Sequence, residues 1–359
     1  MLSHDSLAGR NNGTPGSASA RKWLIDRLDD IAVGANPDGS GAAAYEQPFT
    51  GGTNVVAVIP GGDLADEYVV IGAHYDHLGS ACDGSGASDS ICNGATDNAA
   101  GAAAVLEIGR ALAERDEPPR RSIVLAFWDR EEDGLLGSQY YVQHPLVPLA
   151  DTVAYLNYDI QGANLLPGLR ATTFAVAAES GGTALQEAVT AAGGVAPARL
   201  HRLSSVFGQG RSDYVRFLTA QVPSVFFTDS TGPCYHTVDD EFGVVDFTKL
   251  EHQVAIGVAL AADLADRDAR LTFTASSPLA TYADAVELAQ VLADAADDLG
   301  RFTPAQQQQL LAYRATVEAI VAAGPAQFDS DDVTALLTGA VTAVGILSTG
   351  PCDGFLAAG

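Results

Sequence analysis

Three observations in this chain of 359 residues predict an α/β fold. Short apolar runs rich in Val, Ile and Phe alternate with helical stretches as far as about Asp268. The runs read as buried strands, and buried strands separated by helices build a mostly parallel mixed sheet covered by helices on both faces. From Leu279 onward only helical segments remain. The expected organisation is therefore a main domain over residues 1–268 and a helical C-terminal appendage over 269–359.

Trp23, Leu24, Leu28 and Ile31 recur at helical spacing, which predicts a helix over Ala18–Ala32. The segments TNVVAVIPGG and EYVVIGAH read as strands, and NAAGAAAVLEIGRALAERDE as a helix. SIVLAFWD is a strand, GLLGSQYYVQH a helix and TVAYLNYDI a strand again. TTFAVAA (strand), TALQEAVTAAG and SDYVRFLTA (helices), PSVFFTD (strand) and a helix over Asp246–Ala265 complete the main domain. The appendage contains TYADAVELAQVLADAADDL, PAQQQQLLAYRATVEAIVAAG and DDVTALLTGAVTAVGIL, three helical segments with no repeat and no long linker. It is expected to pack on the main domain.

Composition narrows the function. Hydrophobic residues make up 47% of the chain, enough for a packed core and too many for a disordered one. Nineteen basic against 45 acidic residues give a net charge of −26, which repels phosphate backbones and argues against a nucleic-acid partner. Only Lys22 and Lys249 are lysines. A GC-rich genome accounts for that usage, and a salt-adapted acidic surface is the alternative. No run of 18 consecutive apolar residues occurs, so no transmembrane segment is expected. Oligomeric state is not legible.

MLSHDSLAGRNNGTPG has neither the basic start nor the apolar run of a signal peptide. The cysteines point the other way. Cys82 and Cys92 bracket the loop CDGSGASDSIC, and Cys234 and Cys352 are left as a possible second pair. No C-x-x-C spacing suggests a zinc knuckle or a redox motif. Disulfides imply a secreted or periplasmic protein.

Polar residues concentrate in five segments at or beyond strand ends: GAHYDH (Gly72–His77), GATDNAAG (Gly94–Gly101), WDREEDG (Trp128–Gly134), LNYDIQG (Leu156–Gly162) and CYHTVDDEF (Cys234–Phe242). Ligands of open α/β sheets sit at the carboxyl ends of strands, so the five can converge on one crevice. Histidines and carboxylates suit zinc, and an aspartate can bridge two such ions. Taken singly each segment has a plainer explanation. DNAAG alone would be a helix cap and YHTVDD alone an acidic loop. Their conjunction and order are what point to a metal site.

These motifs, with RSDYVRF and the opening LSHDSLAGRNNGTPGS, resemble the bacterial leucyl aminopeptidase and aminopeptidase Y family of double-zinc exopeptidases. The resemblance covers about Leu2 to Ala265, without the protease-associated insert of some relatives, and implies a zinc exopeptidase-like three-layer sandwich. It implies one zinc ion on His74, Asp97 and Asp159 and a second on Asp97, Glu132 and His236, with Asp97 bridging. Glu131 would be the general base, Asp76 would orient His74, and Tyr235 would donate a hydrogen bond to the developing oxyanion. Adjacent side chains point apart, so Glu131 is free for proton transfer if Glu132 is a ligand. The implied reaction is hydrolysis of the N-terminal residue from peptides with a free N-terminus. His77 has no role in this pattern.

Relatives often carry His where this chain has Tyr214, which bears on substrate contact. Asp83 and Asp89 could bind calcium, but their spacing fits no EF-hand and a solvated loop is expected. The nearest rival is a glutaminyl cyclase-like zinc acyltransferase on a similar fold. DNAAG and Tyr235 favour the peptidase, since such cyclases usually place Trp before the final His. A carboxypeptidase would need a cationic pocket, of which the scarce lysines give no sign. A non-catalytic binding module of the same fold would be expected to have lost ligands, and none is missing.

Overall fold

The computed structural model describes residues 1–82, 89–275 and 279–355. Helix α1 (Pro15–Leu28) begins earlier than its apolar spacing suggests. Thr14 caps it by accepting the Ser17 amide at 3.2 Å, and Pro15 stands in the first turn, where its missing donor is harmless. Strands β1 (Val33–Gly34), β2 (Glu46–Phe49), β3 (Gly52–Ile59) and β4 (Leu64–His74) follow. Then come α2 (Ala100–Ala113), β5 (Arg121–Trp128), α3 (Leu136–Gln143), β6 (Thr152–Tyr158), β7 (Thr172–Val176), α4 (Gly182–Gly193) and β8 (Arg199–Leu203). Helix α5 (Tyr214–Thr219), strand β9 (Ser224–Thr228) and helix α6 (Phe247–Asp266) precede the C-terminal helices α7 (Tyr282–Asp294), α8 (Pro304–Ala323) and α9 (Ser330–Leu347).

The strands form one mixed sheet in the order β1-β3-β5-β4-β6-β9-β7-β8, with β2 on β3. Its centre, β5-β4-β6-β9, is parallel. Strands β3 and β7 run against it on either side. The carboxyl ends of β4, β5, β6 and β9 therefore open on one edge, as the strand-end motifs require.

Period-two alternation explains the layers. Ile123, Leu125 and Phe127 face a core shared with α1, α2, α4 and α6. Val124, Ala126 and Trp128 face the opposite core, shared with Tyr141 of α3 and Phe217 of α5. That second core also takes Leu288 of α7, Tyr313 and Val317 of α8 and Leu336 of α9. The C-terminal helices thus pack on the sheet's second face, as expected, and cap themselves well: Thr281, Thr303 and Asp329 each close a reciprocal capping box. Helix α9 is, by length and composition, apolar enough to cross a membrane, with mean hydropathy 1.3 over 18 residues. Counting unbroken apolar runs passes over it because threonines and aspartates interrupt the segment.

Two disulfides are present, Cys82–Cys92 and Cys234–Cys352, the pairing suggested by the cysteine positions. Asp83 lies outside the described residues. Asp89 accepts the Ile91 amide at 2.9 Å and belongs to none of the His/acid groups able to hold an ion among the described residues.

Candidate metal centre

His74 is the last residue of β4, and Asp159 directly follows β6. Glu131 and Glu132 lie in the turn after β5, and His236 in the loop after β9. Asp97 sits in the irregular turn that leads into α2, beside a cis peptide to Asn98. The fold brings all six together. His74 Nε2 lies 3.1 Å from Asp97 Oδ1 and 3.3 Å from Asp159 Oδ1. His236 Nε2 lies 3.3 Å from Asp97 Oδ2 and 3.1 Å from Glu132 Oε2. One carboxylate, Asp97, thus faces a histidine with each of its oxygens.

Glu131 enters the same cluster: ligand atoms of His74, Glu131 and Glu132 all lie within 4.8 Å of one another. Asp76 is 3.6 Å from His74 Nδ1. Its two oxygens also accept the backbone amides of Glu131, at 3.1 Å, and Glu132, at 3.3 Å. Asp76 therefore fixes the turn that carries both glutamates, beyond the contact with His74 that the resemblance implies. Tyr235 stacks on His236, with ring centroids 3.8 Å apart and planes 17° apart.

Burial concentrates the electrostatics. It would lower the His74 pKa, but the neighbouring Asp159 and Glu131 charges outweigh it and hold the imidazole well above its ordinary value. His236 behaves alike: burial opposes the charge, yet bonds to Asp97 and Glu132 raise it to about 10. Burial drives Glu131 well above the usual carboxylate range, although His74 pulls it back. The Tyr235 phenol rises too, through burial and then through the Asp97 and Glu132 charges. Asp213 is fully buried without a hydrogen bond to either oxygen, and burial pushes it up to about 7.

Three residues that sequence reasoning did not assign complete the framework. His77 Nδ1 lies 2.6 Å from Glu132 Oε1, while its Nε2 is buried without a partner. The spacing of the two histidines in HYDH was the available signal. Asp240 accepts the amides of Thr96, at 2.9 Å, and Asp97, at 3.0 Å, and so holds the Asp97 turn. Arg10 is wholly buried and donates to the carbonyls of Tyr75, Asn93 and Gly94 at 2.9, 2.6 and 3.0 Å. It joins the chain's opening segment to the loops bearing Asp76 and Asp97. Nothing in its local sequence announces that role, since an Arg in a polar segment reads as surface.

Imidazoles and carboxylates converging from several strand ends form the donor set that fits zinc. The orphaned Nε2 of His77 and the mutual approach of four acids are what a cation would relieve.

Known proteins share the fold and part of the sequence. The chain is 32% identical over 246 residues to the probable glutamate carboxypeptidase LAMP1 of Arabidopsis thaliana, covering 63% of this chain and 34% of that protein. It spans about a quarter to a third of the length of the curated relatives it matches in this way. The solved structure of the Legionella pneumophila LapA aminopeptidase superposes with a TM-score of 0.59 at 22% identity, over 74% of this chain and 69% of that one. Porphyromonas gingivalis glutaminyl cyclase superposes with a TM-score of 0.57 at 19% identity, over 72% of this chain and 93% of that one. At such identities these two likenesses concern the fold alone. The family model of Peptidase family M28 matches residues 54–261, which include every residue of the cluster from His74 to His236. The chain belongs to Peptidase family M28.

Proposed function

We propose that the chain is a zinc-dependent aminopeptidase that removes the N-terminal residue of peptides. The observation that carries this reading is the Asp97 carboxylate, whose two oxygens face His74 and His236 from different strand ends. His74, Asp97 and Asp159 would hold one zinc ion; Asp97, Glu132 and His236 would hold a second. Zinc supplies Lewis acidity and lowers the pKa of water toward neutrality.

The protein's own groups do the rest. Glu131, within the cluster but outside both sets of proposed ligands, takes a proton from the attacking water and returns it to the leaving amine. Tyr235 stays protonated because burial and nearby carboxylates raise its pKa, so its O–H can donate to the oxyanion of the tetrahedral state. Asp76 keeps Glu131 and Glu132 in register through their amides. The two disulfides suit an oxidising compartment, and we place the protein outside the cytoplasm.

The test is hydrolysis of a panel of amino-acid p-nitroanilides by the zinc-loaded protein, with Glu131→Ala as control. A peptide with N-terminal glutamine is followed for cyclisation in parallel, and a C-terminal glutamyl dipeptide for release of glutamate. Zinc-dependent anilide cleavage that is lost in the variant supports the aminopeptidase. Cyclisation without cleavage replaces it with an acyltransferase, and release of glutamate alone replaces it with a carboxypeptidase.

A further inference from the structure

The metal centre is continuous with a larger space. Asp97, Glu131, Tyr235 and His236 line one end of a cavity with about 200 Å³ of space open to water centres, where roughly 10–15 Å³ suffices for one water. The cavity passes the sheet at Val176, Leu203 and Phe226 and continues between the C-terminal helices. There its wall is Leu288 and Leu292 of α7, Leu310 and Tyr313 of α8, and Ala343 and Leu347 of α9.

The two ends differ in chemistry. Polar side chains gather at the metal end. In the helical end the one charged lining residue among the described residues, Arg314, is bonded to Glu318 at 2.7 Å, and the Tyr313 hydroxyl donates to the Leu336 carbonyl at 3.0 Å. The helix backbones there are already hydrogen-bonded within α7, α8 and α9. A peptide threaded into this end would bury amide N–H and C=O groups with no partner, at a cost of roughly 1–3 kcal/mol each. A hydrocarbon chain has no such groups and gains from every methylene it removes from water.

We propose that the chamber binds an unbranched hydrocarbon chain carried by the amide substrate, so that the compound hydrolysed is a long-chain acyl or alkyl amide of an amino acid. The proposal rests on the hydrolytic reading of the metal centre, but not on the requirement for a free α-amine. In the acyl case water adds to the acyl carbonyl and the C–N bond breaks. The acyl group leaves as a carboxylate, and Glu131 passes the water's proton to the departing amino-acid nitrogen. No oxidant or further reactant is needed.

The test compares acetyl-, butanoyl-, octanoyl- and dodecanoyl-glycine with leucine butylamide and leucine dodecylamide on the zinc-loaded protein. Leucine p-nitroanilide serves as the reference. On whichever side carries the chain, kcat/KM should rise about fourfold per added methylene until the chamber is full. Ala343→Phe, or Ala340→Phe one turn earlier on the same wall, should lower the dodecyl-to-short-chain ratio at least tenfold. Independently of turnover, calorimetry should detect dodecanoyl-glycine binding to the metal-free wild type and its loss in these variants. Cleavage of the anilide with no chain-length dependence and no calorimetric binding overturns the chamber while leaving the hydrolase intact. Calorimetric binding without hydrolysis of any amide leaves the chamber standing and removes the hydrolase.

Discussion

Cys352, near the end of the described chain, is bonded to Cys234, two residues before His236. The bridge closes a sequence separation of 118 residues that includes all three C-terminal helices. It therefore ties the far end of α9 to the loop that delivers one of the two central histidines. A loop of this size loses much conformational freedom when closed, and such a bridge contributes roughly 2–5 kcal/mol. Replacing Cys234 and Cys352 together by Ser should lower the thermal midpoint by several degrees and weaken zinc binding. The equivalent Cys82/Cys92 replacement, closing a separation of only 10, should have the smaller effect on stability. Calorimetric melts of the two double variants compare them directly, and equal midpoints would remove the tethering argument.

Asp76 acts on the metal centre through the backbone as well as through His74. With both oxygens accepting the amides of Glu131 and Glu132, it needs two acceptors at once. Asn has the same shape with one acceptor and no charge. Asp76→Asn should reduce zinc affinity about 10–100-fold, the usual cost of losing a group that orients metal-binding side chains. A zinc competition titration against a chromophoric chelator measures this. Unchanged affinity would confine Asp76 to a packing role.

Much of the architecture was legible because the buried strands are short apolar runs and the site lies where they end. The four central strands needed no tertiary information: β4, β5 and β6 carry motif residues, and β9 leads to the loop of His236. Strand β8 was missed because RLHRL alternates apolar residues with Arg and His, and only its pairing with β7 makes it a strand. Strands β1 and β2 are too short to carry a periodicity. The same division holds at the site. His74, Asp97, Glu132, Asp159 and His236 were legible as a pattern. Arg10 and Asp240 were not, because their work is done across 84 and 144 positions of separation, on backbone groups that no motif encodes.

Arg10 offers a test of that hidden framework. Its guanidinium also donates to the Leu2 carbonyl at 2.7 Å, so four buried carbonyls depend on it. Arg10→Met keeps the volume and leaves the Leu2, Tyr75 and Asn93 carbonyls without this donor, each worth roughly 1–3 kcal/mol, while Gly94 still accepts the Ala99 amide at 3.1 Å. The variant should lose at least about 3 kcal/mol of stability in urea unfolding, and Arg10→Lys should recover part of it. A loss below about 1 kcal/mol in Arg10→Met would mean that water replaces the guanidinium.

Metal binding should be tightly coupled to protons. In the metal-free protein His236 is held up to about 10, and His74 well above its ordinary value, so both imidazoles are charged at neutral pH. A cation can bind them only after those protons leave. Zinc binding at pH 7 should therefore release protons, seen as a binding enthalpy that varies with the ionisation enthalpy of the buffer. Affinity should rise with pH up to about 10. For folding of the metal-free chain the sign is opposite. A histidine whose folded pKa exceeds its unfolded value near 6.5 stabilises fully below that value and loses its contribution as pH rises through about 10. Metal-free protein should thus weaken between about pH 7 and 10, while the zinc-loaded protein holds its midpoint over the same range. Parallel melting curves with and without a chelator measure both trends, and curves that stay parallel across that range would detach the two histidines from the metal.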